Sequence, residues 1–248
     1  MRLAISHRSD PGLVRTSNQD AFSVDILDPR QNAALLVVAD GMGGYEGGEV
    51  ASRIAVETVR VRVQGNAANW AEKGWLGEGL AEAIHQANQA ILQAQTEQPE
   101  LGNMGSTLTA ALVWGERIYL GHIGDSRAFL VGKENAWQIT TDHNVAGELF
   151  QSGHLTADQA AVHPQRHVLT RALGVGAMLV VERHEVVWQK SDLLVLNTDG
   201  LTNLVRIPEV QALAQEVDFI ELADRLVALA NERGGHDNIT VLLARWEG

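Results

Sequence analysis

Short apolar runs and longer amphipathic stretches alternate along this chain and separate two kinds of element. The runs Leu3–Ser6, Ala21–Leu27, Ala34–Ala39, Thr107–Trp114, Arg117–Ile123, Arg127–Val131, Leu179–Trp188, Leu193–Asn197 and Ile239–Trp246 have strand character. Gly, Asp and Asn punctuate the gaps between them, which predicts sheets built largely from antiparallel neighbours. Three longer stretches carry a helical period. Val50, Ile54 and Val61 fall on one face of the first; Leu80, Ile84, Ala87 and Ile91 mark the second; Leu222, Leu226, Leu229 and Ala230 mark the third. A helix with one apolar stripe covers one sheet face, so the expected class is α+β, with helices layered against sheets.

Between Asp142 and Gly176 the pattern changes. The stretch is polar and His-rich, with short helical hints and no strand. So long an excursion inside a β framework serves either as a lid or binding element or as a surface insertion.

Composition narrows the classes. The chain has 248 residues, enough for one substantial core or two small ones. No apolar run approaches the roughly 20 residues of a membrane span, and "MRLAISHRSDPG" lacks the apolar region of a signal peptide. Cysteine is absent, which excludes disulfides, thiolate metal sites and cysteine nucleophiles and fits a cytoplasmic protein. A formal net charge of −12 argues against nucleic acid as a partner. A phosphate ligand would need local cations, from Arg side chains or bound metal.

The acids have a common setting. "VVADGMGG" and "LLVLNTDGL" deliver Asp40 and Asp199 at the ends of apolar strands, each followed by glycine. "GGHDNITVLL" and "VRTSNQDAFSV" place Asp237 and Asp20 just before strands, and "IGDSRAF" puts Asp125 between two. In antiparallel pairing the end of one strand lies beside the start of its neighbour, so these acids can converge on one edge of a sheet stack. Any one Asp before Gly is ordinary turn chemistry; five against apolar strands point to a site. Crowded carboxylates repel unless a cation neutralises them. Oxygen ligands select magnesium or manganese over zinc, and a pair of such ions can activate water and clamp a phosphoryl oxygen. Arg15, five residues before Asp20, offers a planar fork of donors to phosphate. Asn18 and Gln19 either orient waters or shape the turn. "GMGGYEGG" lacks the pattern of a nucleotide-binding P-loop.

The ordered series "RTSNQD", "VVADGMGG", "GSTLTAAL", "IGDSRAF", "LTRALG", "LNTDGLTN" and "GGHDNITVLL" resembles the type 2C metal-dependent serine/threonine protein phosphatases, in particular their compact bacterial members. The resemblance runs from about Ser6 to Arg245. It implies two stacked antiparallel sheets flanked by helices, an αββα sandwich, with one catalytic domain over 1–248 and a flap at about 142–176. It also implies two or three divalent cations, manganese or magnesium. Asp40 would bridge two of them, Asp199 and Asp237 would hold the first, and the Gly41 carbonyl the second, with Asp20 and Gln19 acting partly through water. Asp125 with Asp199 matches a third site, and Arg15 matches the phosphate-binding arginine. The implied reaction is hydrolysis of phosphoserine and phosphothreonine in proteins by a metal-activated water, reversing a serine/threonine kinase. The partners would be phosphorylated proteins, the kinase or its substrates among them.

Two positions depart from the pattern. Met42 stands where many eukaryotic relatives have a histidine that is a candidate proton donor to the leaving alcohol, and methionine cannot donate; a third-metal water or a flap histidine are the substitutes. Gln19 stands where many relatives have Glu. His163 and His167, in "VHPQRHVLTRALG", are either surface histidines or substrate contacts, and Pro164 opposes a helix through His163. His7, His85, His122, His184 and His236 read individually as structural, and Asn238 as a brace for its loop. A member of the family serving only as a binding module would have lost metal-binding acids, and none is missing here. An enzyme for small phosphate esters remains the alternative that substrate comparison would separate.

Overall fold

The computed structural model describes residues 2–43, 46–176 and 178–247; Gly44 and Tyr45 of the "GMGGYEGG" stretch lie outside them. In chain order the elements are β1 (Arg2–Asp10), β2 (Asp20–Asp28), β3 (Ala33–Met42), α1 (Gly47–Lys73), α2 (Leu76–Glu97), β4 (Gly105–Ser106), β5 (Leu108–Trp114), β6 (Arg117–Ile123), β7 (Arg127–Val131), β8 (Ala136–Gln138), α3 (Val145–Gln151), α4 (Ala157–Ala161), β9 (Glu182–Val187), β10 (Leu193–Asn197), α5 (Asp199–Thr202), α6 (Ile207–Glu216), α7 (Phe219–Glu232) and β11 (Ile239–Glu247). One sheet has the order β1-β11-β10-β7-β8 and the other β2-β3-β5-β6-β9, with β4 paired to β3. The named strand pairs are antiparallel.

The period-2 alternation of strand side chains explains the layering. In β3, Ala34, Leu36 and Val38 face the other sheet and pack with Leu130, Leu194, Leu196 and Leu242. Their alternates Leu35, Val37 and Ala39 face α1 and α2. On the far side Val195, Val241 and Leu243 meet Leu222, Leu226 and Ala230 of α7. Strands buried on both faces read as continuous apolar runs, which is why β3 and β10 were legible. The result is the αββα sandwich expected.

Two expectations need correction. Val61 is 52% exposed; the face of α1 that packs is Ala51, Ala55, Val59, Val63 and Ala67. Alanines carry little hydrophobic signal, yet they let the helix approach β3 closely, and Val50, Ile54 and Val61 mark only the flank of that stripe. Strand β9 starts at Glu182 rather than Leu179, because Leu179 and Val181 pack instead against the helix-side core. The short strands β4 and β8 lacked the length to register as apolar runs.

The segment 142–176 contains α3 and α4 and no named strand. Asn144 caps α3 by accepting the Gly147 amide at 2.8 Å, and Thr156 with Gln159 forms a capping box on α4. At the root of the segment Arg127 of β7 grips Asp142 through two guanidinium nitrogens at 2.9 and 2.5 Å. An isolated bridge from Asn144 to Leu169 joins the two ends of the segment to each other, and one from Ser106 to Leu173 ties it to the body. No helix among the described residues is long and apolar enough to cross a membrane.

Candidate active site

Antiparallel registry brings the acids together. Asp20, the first residue of β2, is the direct partner of Asp40 near the end of β3, and like charges so placed repel. In the other sheet the end of β10 lies beside the start of β11, with Asn197 opposite Val241 and the Thr198 amide donating to the Thr240 carbonyl at 3.1 Å. That pairing places Asp199, which opens α5, near Asp237, which precedes β11. Asp125 lies in the turn that carries the chain from β6 in one sheet to β7 in the other.

Two glycines allow the approach. A Cβ on Gly41 would stand 2.0 Å from the Gly48 carbonyl oxygen, and one on Gly200 would stand 2.0 Å from that of Asn238. Neither position tolerates a side chain. Asn238 holds the other loops in place: its Oδ1 accepts the Gln19 amide at 2.8 Å, and its Nδ2 donates to the carbonyls of Pro11 and Ser17, each at 2.9 Å.

The floor opens into a cleft of about 760 Å³ lined by Arg15, Asp40, Gly41, Asp125, Asp199 and Asp237, with His167 contributed by the segment 142–176. Asp20 lies behind this floor, buried. Its Oδ2 accepts hydroxyl hydrogens from Thr198 at 2.8 Å and Thr240 at 2.6 Å, while its Oδ1, like Asp199 Oδ1, is buried without a hydrogen-bond partner. The threonines escaped the sequence reading, since nothing in "NTDGL" or "NITVLL" marks a hydroxyl that will face an acid from another strand. Met42 and Val175 add apolar wall to the cleft.

Electrostatics follow the crowding. Burial, and then the charges of Asp20, Asp199, Asp125 and Asp237, push the Asp40 carboxyl well above the usual range. Asp20 is pushed up to about 7, by burial first and by Asp199 and Asp237, against the two threonine hydroxyls. Asp125 also rises to about 7, through burial and then Asp199 and Asp142. Several acids that cannot all ionise together, two of them with orphaned buried oxygens, make a donor set suited to a hard divalent cation.

Arg15 forms a two-point pair with Asp237, Nη2 to Oδ2 and Nε to Oδ1, both at 2.9 Å. The expected phosphate ligand and an expected metal ligand therefore hold each other here. His167 Nδ1 stands 3.7 Å from Asp199 Oδ2, and the adjacent carboxylate raises its pKa. His163 does not enter the cleft. The turn that follows it, with the Arg166 amide on the His163 carbonyl at 3.1 Å, leaves its Nδ1 accepting the Gln165 amide at 3.2 Å. Arg166 and Arg171 do line the cleft, and the sequence offered no sign of which cations of the segment 142–176 would face inward. A further set of His122, His143 and Glu182, one ligand atom from each within 4.8 Å of the others, lies outside these acids.

Comparison with known proteins agrees with this geometry. The family model described as protein phosphatase 2C matches residues 13–244. A serine/threonine phosphatase stp of Listeria monocytogenes is 34% identical, over 95% of this chain and 93% of that protein. Protein phosphatase PhpP of Streptococcus pneumoniae is 33% identical, over 97% and 96%. The crystal structure of the Mycobacterium tuberculosis serine/threonine phosphatase PstP/Ppp superposes with a TM-score of 0.86 at 34% identity, covering all of both chains. The catalytic domain of PstP, in complex with two manganese ions, superposes with a TM-score of 0.81 at 34% identity, covering 98% of each chain. With the acids of both sheets gathered at one edge and the match spanning nearly the whole sequence, this chain belongs to the protein phosphatase 2C family and is a serine/threonine protein phosphatase.

Proposed function

We propose that the cleft removes phosphate from phosphoserine and phosphothreonine of proteins with two or three divalent cations held by Asp40, Asp199, Asp237, the Gly41 carbonyl and, behind them, Asp20, with Asp125 and Asp199 forming the third position. The observation that carries this reading is the convergence of five aspartates, two with buried oxygens that have no partner. When bound, manganese or magnesium supplies Lewis-acid activation of water and neutralises charge on the phosphoryl oxygens. The chain's own residues then bind and orient. Arg15, which pairs with Asp237 here, carries the planar fork that would hold two phosphoryl oxygens. His167 brings a proton-bearing ring to the cleft, where Met42 has none to give. The segment 142–176 is the flap, and the whole chain acts as one catalytic domain.

The substrates would be proteins phosphorylated by a serine/threonine kinase, in the cytoplasm, a placement that rests on the cysteine-free composition. The test is phosphate release from a phosphothreonine peptide by chelated protein before and after addition of manganese or magnesium. Activity that vanishes and returns supports the reading. Folded protein inactive with both ions overturns it, and preference for nucleotides or sugar phosphates would reassign the substrate.

A further inference from the structure

Outside the aspartates lies one cluster of buried ionisable groups that the reading above leaves unused. His122, at the end of β6, is fully buried, and His143, at the root of the flap, is 3% exposed. Their rings lie 4.8 Å apart, beside Glu182 at the start of β9. The spacing of the three groups suits a cation, but their hydrogen bonds do not. His143 Nδ1 accepts the Gly124 amide at 3.1 Å, so the proton of the neutral ring is on Nε2, which donates to Glu182 Oε2 at 2.9 Å. His122 Nε2 donates to the Thr141 carbonyl at 3.0 Å, and its Nδ1 faces the Thr109 hydroxyl at 2.8 Å. Glu182 Oε1 accepts the Thr141 amide at 2.9 Å and His184 Nε2 at 2.6 Å. The Arg171 guanidinium stands 3.4 Å from His143 Nε2. The imidazole nitrogens and both Glu182 oxygens are already engaged, and a cationic side chain is alongside.

What these bonds hold is the turn that carries Asp125. His143 grips Gly124 at two points, the ring accepting its N–H and the His143 amide donating to its carbonyl at 2.7 Å. Gly124 has φ +105°, a conformation open to glycine, and a Cβ there would stand 2.6 Å from the Thr107 side chain. On the other side of Asp125 the Ser126 hydroxyl meets Thr107 Oγ1 at 2.7 Å and the Ser126 carbonyl meets Thr109 Oγ1 at 3.0 Å. Thr107 in turn accepts the Asp40 amide at 2.8 Å and donates its own amide to the Asp40 carbonyl at 2.9 Å. Asn144, the residue after His143, donates to Asp125 Oδ2 at 3.3 Å. One polar layer thus joins β9, the flap root, the Asp125 turn and Asp40.

We propose that His143, held by Glu182, is a positioning residue: it clamps the Gly124–Asp125 turn and so sets the affinity with which Asp125 and Asp199 take a divalent cation. The inference rests on the reading of Asp125 as a metal ligand. Partners of this kind, one step removed from a metal, typically change its affinity 10- to 100-fold.

The experiment is a manganese titration of metal-stripped full-length protein, with free ion followed by electron paramagnetic resonance. Asp125→Asn should abolish the weakest binding step. His143→Gln keeps an N–H directed at Glu182 but offers Gly124 no acceptor, and should weaken that step about 10- to 100-fold. His143→Asn places an oxygen where Nδ1 stood and should recover most of the loss. Glu182→Gln should fall between them. The tighter steps should persist in every variant and serve as the criterion of folding. A folded His143→Gln variant with a lowered melting temperature but the wild-type weakest step would overturn the positioning role, as would an Asn variant no better than Gln. Asp125→Asn with every step unchanged would overturn the assignment of Asp125 itself, and this inference with it.

Discussion

Asp199 and Arg15 are the residues on which the proposed chemistry depends most visibly. Replacing Asp199 with Asn keeps its size and its contact with Asn203, whose Nδ2 donates to Asp199 Oδ2 at 3.0 Å, but removes a charge from the proposed metal set. The expected outcome is a folded protein whose kcat falls by about a hundredfold or more, the scale of removing one electrostatic contact to a transition state. Phosphate release and circular dichroism on the same sample would check it, and full activity would remove Asp199 from the metal set. For Arg15, loss of two charged hydrogen bonds worth about 1.5–3 kcal/mol each should lower kcat/KM by about a hundredfold or more in Arg15→Ala. Arg15→Lys should recover little, because an ammonium cannot reproduce the planar fork. A lysine variant at wild-type kcat/KM would assign Arg15 only a general charge effect.

At the scale of elements, the helices differ in how faithfully hydropathy reported their buried faces. In α2 the residues Leu80, Ile84, Ala87 and Ile91 are all fully buried, as their spacing predicted. In α1 alanines form much of the buried stripe and Val61 faces solvent. Truncating Ile84 to Ala should therefore cost about 2–5 kcal/mol, while Val61→Ala should stay within about 0.5 kcal/mol; urea unfolding of the two variants would separate them. Strand identity was legible wherever apolar runs were long, and β6, β7 and β10 begin and end where the pattern placed them. Pairing order was not legible. It depends on which strand edges meet once both sheets have formed, and no local period encodes that.

At the scale of the molecule, one cluster links acid stability to the root of the segment 142–176. Burial raises the Glu182 pKa, but hydrogen bonds from His143 and His184 outweigh it and hold the group down to about 2. A depressed carboxylate contributes stability that is present above its unfolded pKa of 4.5 and is lost as pH falls towards 2. Glu182→Gln should flatten that part of the acid limb, so melting curves of variant and wild type should converge between pH 5 and 2.5. A constant offset across that range would contradict the assignment. Cation binding acts on the whole fold as well. At a hundredfold excess over its dissociation constant an ion stabilises by about 2.7 kcal/mol, which for a chain of this size raises the melting temperature by roughly 5–10 °C. Manganese added to chelated protein should show that rise, and magnesium a similar one at higher concentration.

The chain's pattern by itself determined the class of fold, most of its strands, two of its three main helical faces and a set of acids that belong together. Those features are local: a period of two or 3.6, an acid at the end of an apolar run, a glycine beside it. Only the tertiary structure decided which groups complete the site. It placed Thr198 and Thr240 on Asp20, turned His167 into the cleft and His163 away from it, paired Arg15 with Asp237, and made His122, read individually as structural, part of a layer that joins the segment 142–176 to Asp125. Apart from the local turn that holds His163, each of these is a contact between residues far apart in the sequence, created when antiparallel registry and the crossing from one sheet to the other bring distant turns to the same edge. Apolar periodicity records which side of an element is buried, and it carries no record of what that side will meet.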